Sequence, residues 1–452
     1  MKFGKRILPI LALGTCAMGI AAGAASCGAA KGDLSIGIML YKDTGDDVAA
    51  LNAYTSYITS ELGIKFTFKT GSLTNQEANL NAIADLQLAG CQGIVVALCG
   101  DTFPSFVSKA AEGGTPIASY YGTPEDYYYT DGTAGLGRGI KSEADKKNMI
   151  DYYVGGIEDG VRSGDLGGKY LGEKFFEDAV ILGGERNIEL MHFNFLYYPK
   201  QAVACDTFIG KVNAWNADPK NAEDKIELYD VGKNEDGTYK TSADFPGNYP
   251  GDTTNSNKTG NVGFSLGFAP VDDTFFQKGN GRDGMTSIVC FGAAGTFIYP
   301  KAVTAAPNIR IYGSGYDGGS KGFTESFGTG IMRQSTFTCV ESFAYPLAML
   351  VNRIDGNDYA DIWQQKAEDN KYLDKDVVDR RVSGNYNYVT TAAQMKYMLS
   401  HSMYATHKAS DALLKADDLK KLMKRYNSSA TYSDLLKTVQ GLDAFAGYTP
   451  AK

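Results

Sequence analysis

The chain has 452 residues, with 44 Lys and Arg against 52 Asp and Glu and a formal net charge of -8. An acidic balance with scattered basic residues excludes a nucleic-acid surface. The length exceeds the usual size of a single core, so two domains are expected.

Lys2, Lys5 and Arg6 form a charged head, and residues 7–25 are then apolar or small and uncharged. That pattern reads as a secretory signal, too short and too rich in small residues for a membrane span. It ends in Ala24-Ala25-Ser26-Cys27-Gly28, which resembles the lipobox of bacterial lipoproteins. The resemblance implies removal of residues 1–26, a lipid on Cys27, a tether over 27–33 and a chain anchored on the extracytoplasmic face of the cell membrane. Ordinary cleavage after a small residue and an uncleaved anchor are the alternatives; Cys16 follows Leu13 but leaves a very short apolar core. No later segment has the roughly 20 apolar residues that a span needs. The remaining cysteines are Cys91, Cys99, Cys205, Cys290 and Cys339, without a C-x-x-C pair. Buried thiols are expected rather than a zinc or redox framework. A Cys91–Cys99 bridge would have to straddle a predicted strand.

From residue 34 a strand–helix rhythm begins. Residues 34–40 form a strand. Val48, Leu51, Tyr54 and Ile58 recur at helical spacing and stop at Gly63. Residues 64–69 alternate as a strand, and Leu80, Ile83, Ala84 and Leu88 give a second helix closed by Gly90. The apolar run 93–98 fits a parallel strand covered on both faces. Phe103, Phe106, Val107 and Ala110 give a third helix, and 116–120 the next strand. This alternation predicts a doubly wound parallel sheet, whose ligands bind at the carboxyl ends of the strands. Candidates placed there are Tyr41, Asp46, Asp47, Asp101, Tyr120 and Tyr121. An N-cap role is the plainer expectation for Asp101, which follows Gly100 and precedes a helix.

Residues 123–148 read as a polar, Tyr-rich insertion. A second series starts at Tyr152-Tyr153-Val154, continues with a helix carrying Tyr170, Leu171 and Phe175, and reaches a strand at 188–193. Residues 233–261 read as a surface insertion. Strands follow at 287–291 and 309–312, with a helical stretch between them. From about Ala392 the chain is helical and charged, and 411–426 is amphipathic.

Segments of this second series resemble the sugar-type members of the periplasmic-binding-protein type I family. Asp159-Gly160-Val161-Arg162-Ser163-Gly164-Asp165-Leu166-Gly167-Gly168-Lys169-Tyr170-Leu171 is similar to the family's segment at the lobe crossing. Tyr312-Gly313-Ser314-Gly315-Tyr316-Asp317-Gly318 resembles its strand and G-F-D-G turn. Gly328-Thr329-Gly330-Ile331 with Ser335-Thr336-Phe337 resembles the return to the first lobe. The order and spacing agree from residue 34 to about 356. The resemblance implies an α/β fold of two doubly wound parallel-sheet lobes joined by a three-crossover hinge. The lobes would be 34–157 plus 338–391 and 158–337, with 392–452 as a helical extension. The crossings would lie near 156–159, 335–338 and 386–389.

In such a cleft a carboxylate accepts hydroxyl hydrogen bonds strengthened by its charge, and a ring covers an apolar sugar face. The resemblance implies ligand contacts from Asp317, Tyr316 and Asp159, with Tyr121 standing where the family often has a carboxylate. Asp317 before Gly318 also fits a plain turn. The family's amide after Asp159 is Gly160 here, its Asn-Asp pair is Gly292-Ala293, and no Arg stands near Phe208. The implied function is a solute-binding lipoprotein that hands a sugar or sugar-like ligand to an ABC transporter permease, without metal or cofactor. A nucleoside-binding lipoprotein and a ligand-sensing lobe for a membrane receptor are alternatives. An extracellular carbohydrate-active enzyme stands last. His192 lies in an apolar strand and His401 and His407 on the terminal helices, so no nucleophile–base arrangement is apparent. Asn234-Glu235-Asp236-Gly237 lacks the closing Glu of a calcium loop and reads as a turn.

Cys27→Ser is expected to lose the lipid and move the protein from the membrane fraction to the supernatant. Unchanged membrane retention would refute the lipobox assignment.

Overall fold

A computed structural model describes residues 33–72, 75–97, 103–120, 142–157, 167–193, 199–241, 262–266, 270–314, 321–337, 339–362, 381–382 and 387–450. The first sheet takes β1 (Ser35–Leu40), β2 (Lys65–Thr70), β3 (Gly93–Val96), β4 (Ile117–Ser119), β5 (Tyr153–Ile157) and β12 (Arg381–Val382). They lie in the order β12-β5-β4-β3-β1-β2, and every pairing is parallel. Parallel neighbours need long crossovers, and helices supply them. These are α1 (Asp46–Leu62), α2 (Gln76–Leu88), α3 (Phe103–Glu112) and α4 (Glu143–Tyr152). Gly63 ends α1 at φ 72, returning its N–H to the Thr59 carbonyl. Asn75 opens α2 by accepting from the Ala78 N–H.

The second sheet is built from β6 (Asn187–His192), β7 (Glu227–Tyr229), β8 (Phe264–Ser265), β9 (Ser287–Ala293), β10 (Arg310–Ser314), β11 (Met332–Phe337) and β13 (Asn387–Val389). Its order is β13-β11-β10-β9-β6-β7, with β8 on β6. Only β13 is antiparallel, with Ser335 opposite Val389 and Phe337 opposite Asn387. Its helices are α5 (Gly167–Phe176), α6 (Pro199–Ala217), α7 (Ala294–Phe297), α8 (Tyr299–Ala305) and α9 (Lys321–Glu325). Helices α5 and α6 meet at Gly172, where a Cβ would stand 2.5 Å from the Ala204 carbonyl oxygen. Helix α10 (Ala344–Ile354) returns to the first sheet, and α11 (Ala392–His401), α12 (Met403–Thr406), α13 (Ala416–Leu422) and α14 (Tyr432–Gln440) finish the chain.

Alternate residues of a strand face opposite sides of its sheet. Ile36, Ile38 and Leu40 of β1 join one core and Met39 another. In β6, Met191 belongs to the first of these cores, while Ile188 and Leu190 join a third around α5 and α6. The outer faces thus have separate cores, while a single apolar cluster runs from the first sheet through α10 and the terminal helices to the second sheet. Residues 33–452 hold together as one unit.

Three expectations change. The strand at 153–157 does not open a second series; it extends the first sheet, with Tyr153 opposite Ile117, within the first-lobe bounds 34–157. Helix α4, capped by Ser142, brings it there. Its polar first half lies within the stretch read as an insertion, and so hid the helical period. Residues 387–389, placed with the first lobe, pair instead with the second sheet. Within 411–426 only Ala416–Leu422 is α-helical, although Leu414, Leu419, Leu422 and Met423 are buried. Cys91, Cys205, Cys290 and Cys339 are buried. Among the described residues no helix is long and apolar enough to cross a membrane.

His192 is wholly buried at the end of β6, its Nδ1 2.6 Å from the Phe193 carbonyl oxygen. Burial pushes its pKa down from 6.5 to about 4, against the opposing pull of the Phe193 and Gly263 backbone. The unfolded chain therefore binds the proton first as pH falls, and stability is lost between about pH 6.5 and 4. A shift of this size corresponds to about 3 kcal/mol at most. Urea unfolding at pH 7.5 and pH 5 is expected to show a smaller loss on acidification for His192→Gln than for the parent. Equal losses would mean that His192 titrates alike in both states.

Candidate functional site

The chain passes between the sheets after β5 and again after β11, leaving each strand at its carboxyl end. Those ends are where an open parallel sheet presents its binding loops. The loop after β1 carries Tyr41, Asp46 and Asp47. Tyr41 is half-buried, and burial first and the Asp47 charge second push its hydroxyl pKa up. Lys42 Nζ lies 2.8 Å from Asp47 Oδ1 and 5.3 Å from the centre of the Tyr41 ring. Asp47 is thus paired with a local cation. Asp46 is exposed, and both acids sit in the first turn of α1, where they favour the positive end of the helix dipole.

Tyr120, at the end of β4, is only 2% exposed. Its hydroxyl donates to the Val340 carbonyl at 3.2 Å, and its ring stands edge-on to Phe343 at 5.4 Å. The hydroxyl therefore ties the first sheet to the segment that returns from the second. Asp101, Tyr121, Asp159, Tyr316, Asp317 and Cys27 lie outside the described residues.

The second lobe brings together groups that the sequence did not single out. Strand β8 extends the sheet at the carboxyl end of β6, with Phe264 beside Met191 and the Leu266 N–H donating to the His192 carbonyl at 2.8 Å. Next to it is a cavity of about 440 Å³, whose lining includes Phe264, Ser265, Asp272, Thr274, Phe275 and Arg282. The Arg282 guanidinium lies 4.4 Å from the Phe275 ring centre and 5.1 Å from that of Phe264. Its Nε donates to Asp230 Oδ2 at 2.7 Å, and Nη2 is 2.5 Å from the same oxygen. Nε is also 3.4 Å from Glu189 Oε2.

Glu189 is wholly buried on β6. Burial, followed by the Asp230 charge, pushes its carboxyl pKa well up, against the pull of Arg282. A proton on Glu189 leaves Arg282 and Asp230 as a neutral pair in the lobe wall. Asp272 accepts from the Thr274 N–H at 2.8 Å and from its hydroxyl at 2.6 Å, and both bonds hold its carboxyl below the usual carboxylate range. The cavity therefore offers aromatic faces, a fixed guanidinium and an ionised acceptor. That set suits a molecule with both apolar faces and hydroxyl groups.

Arg282 escaped sequence reading because it stands in Gly279-Asn280-Gly281-Arg282-Asp283-Gly284, a stretch without strand or helix period. Gly279, Gly281 and Gly284 all have positive φ there, which is how so short a segment turns the arginine back to β6. Among the described residues no group of His, Cys, Asp and Glu is placed to hold a metal ion.

No protein-family model and no curated protein matches the chain. Solved structures do. A carbohydrate transporter solute-binding protein from Chloroflexus aurantiacus, in complex with D-glucose, superposes at a TM-score of 0.50 and 13% identity, covering 84% of this chain and 98% of its own. An ABC transporter solute-binding protein from Agrobacterium vitis, bound with alpha-D-tagatopyranose, gives 0.49 and 10%, covering 80% and 95%. A glucose-galactose binding protein from Geobacillus stearothermophilus gives 0.48 and 10%, covering 80% and 98%. By its strand order and the first of these likenesses, the chain has the two-lobed α/β fold of the type I periplasmic binding proteins.

Proposed function

We propose that this chain is an extracytoplasmic solute-binding lipoprotein, anchored at Cys27, that takes up a small sugar-like ligand between its lobes and delivers it to an ABC transporter permease. The observation that carries the reading is the cavity at the carboxyl end of β6 and β8, where the Arg282 guanidinium lies against the Phe264–Phe275 ring pair and Asp272 shares the lining. The fold supports it, since crossovers at the carboxyl ends of both sheets leave the binding loops along one cleft. The charges narrow the ligand. Arg282 is paired with Asp230, burial disfavours the charged form of Glu189, and Asp272 is the one acidic side chain among the described lining residues. An uncharged polyhydroxyl compound fits this better than an anion.

Asp317, Tyr316, Asp159, Asp101 and Tyr121 would face this ligand from the loops, together with Tyr41. In this reading Asp317 accepts from sugar hydroxyls, and Tyr316 and Tyr121 cover the ring. The cycle needs no bond chemistry. Ligand binds the closed form better than the open one and shifts the population toward it.

Mass spectrometry of small molecules released from the purified protein should return a neutral sugar or nucleoside. Asp317→Ala is then expected to weaken its binding about ten- to a hundredfold by calorimetry, the loss typical of one buried hydrogen bond to a charged group. The thermal stability of the ligand-free variant should stay close to that of the parent. Equal affinity would remove Asp317 from the site; an acidic ligand would overturn the charge argument.

A further inference from the structure

Residues 387–450 cross between the lobes twice. They begin on the second sheet, where β13 pairs with β11, and α11 packs against α9 of that lobe. Thr391 and Gln394 close the start of α11 with a reciprocal capping box, so the helix is fixed relative to the strand that precedes it. At Ser402, only 2% exposed, the chain turns into α12 and leaves for the first lobe.

There the attachment is dense and largely polar. Helix α12 packs on α1. The Leu413 N–H donates to Glu341 at 3.0 Å, the Tyr54 hydroxyl to the Leu414 carbonyl at 3.3 Å, and the Ala416 N–H to the Tyr57 hydroxyl at 2.9 Å. Arg425 Nη2 lies 2.6 Å from Asp355, a pair with 11% and 8% side-chain exposure. The Tyr432 hydroxyl meets that of Tyr345 at 2.7 Å, and its N–H donates to Asp361 at 2.7 Å. Residues 413–432 are therefore part of the first lobe in all but sequence position.

The last turn then comes back to the crossing. The Ala444 N–H donates to Asn387 Oδ1 at 2.9 Å, and Asn387 Nδ2 reaches the Phe337 carbonyl at 3.4 Å. The rings of Phe445 and Tyr404 pack against Phe337 at 6.0 and 6.4 Å. Phe337 ends β11, the point where the chain leaves the second sheet for the first. The ends of β11 and β13 are thus held by Tyr404, Ala444 and Phe445 of the extension, whose helices α12 and α14 pack on α1 and α10 of the first lobe.

We infer that the C-terminal extension is a clamp on the hinge that restricts how far the two lobes rotate apart. A hinge of bare crossovers absorbs opening in a few backbone dihedrals. Here the same rotation must pull α11 from α12 or strip Phe337 from Phe445 and Tyr404. The clamp acts on the ligand-free protein, and it stands or falls independently of which solute is bound.

The test measures the distance between spin labels on Leu88→Cys and Leu182→Cys, exposed positions of the first and second lobe at 86% and 71%. The described native cysteines are buried, and Cys99 is replaced by Ser. The otherwise unaltered chain is expected to give one narrow distribution without ligand. Truncation of the chain after Leu442 should shift it to longer distances and broaden it. Phe445→Ala, which leaves the first-lobe contacts of residues 413–432 in place, should give a smaller shift in the same direction. A Phe445→Ala distribution superimposable on the parent's would overturn the clamp, whether or not the truncated chain folds.

Discussion

Both sheets are apolar on both faces, and neither is stable until helices cover each side. That requirement organises the molecule. On the outer faces it is met locally, by α2, α3 and α4 on the first sheet and by α5 and α6 on the second. On the inner faces it is met by elements from distant parts of the chain: α1 from the beginning, α10 from after the second crossing, and the terminal helices. The lobes are separate sheets that share part of their apolar core.

Sharing has an electrostatic counterpart. Glu341, in the short turn after the second crossing, is only 1% exposed, and burial raises its carboxyl pKa despite the bond from the Leu413 N–H. Glu189 in the second lobe is in the same condition beside Arg282 and Asp230. Burying a carboxyl costs more than an apolar side chain of that size, and breaking its pairing costs more again. Each acid here holds a junction: Glu341 the extension, and Glu189 the arginine of the cavity wall.

The βα rhythm was legible wherever strands were continuous apolar runs, as in 34–40, 93–96 and 287–291, because burial on both faces leaves that trace. It failed at α4, whose Glu143-Ala144-Asp145-Lys146-Lys147-Asn148 start is polar all round. It failed again at β13, where three residues are too few to carry a period. The site divides in the same way. Strand ends pointed to the carboxyl edge of each sheet, where the Tyr120 hydroxyl donates to the Val340 carbonyl and Asp47 pairs with Lys42. Position along a strand does not say whether a polar tip meets solvent, ligand or backbone. Arg282 and Asp230 meet at a sequence separation of 52, and neither spacing nor composition encodes such a contact.

Strand β13 has one more effect, on association between molecules. A parallel sheet that ended at β11 would present a six-residue row of unpaired N–H and C=O groups, a ready template for a neighbouring chain. Instead β13 runs antiparallel over its last three residues and turns directly into α11, and the first sheet likewise finishes on the two-residue β12. These blunted edges work against strand-to-strand aggregation between molecules.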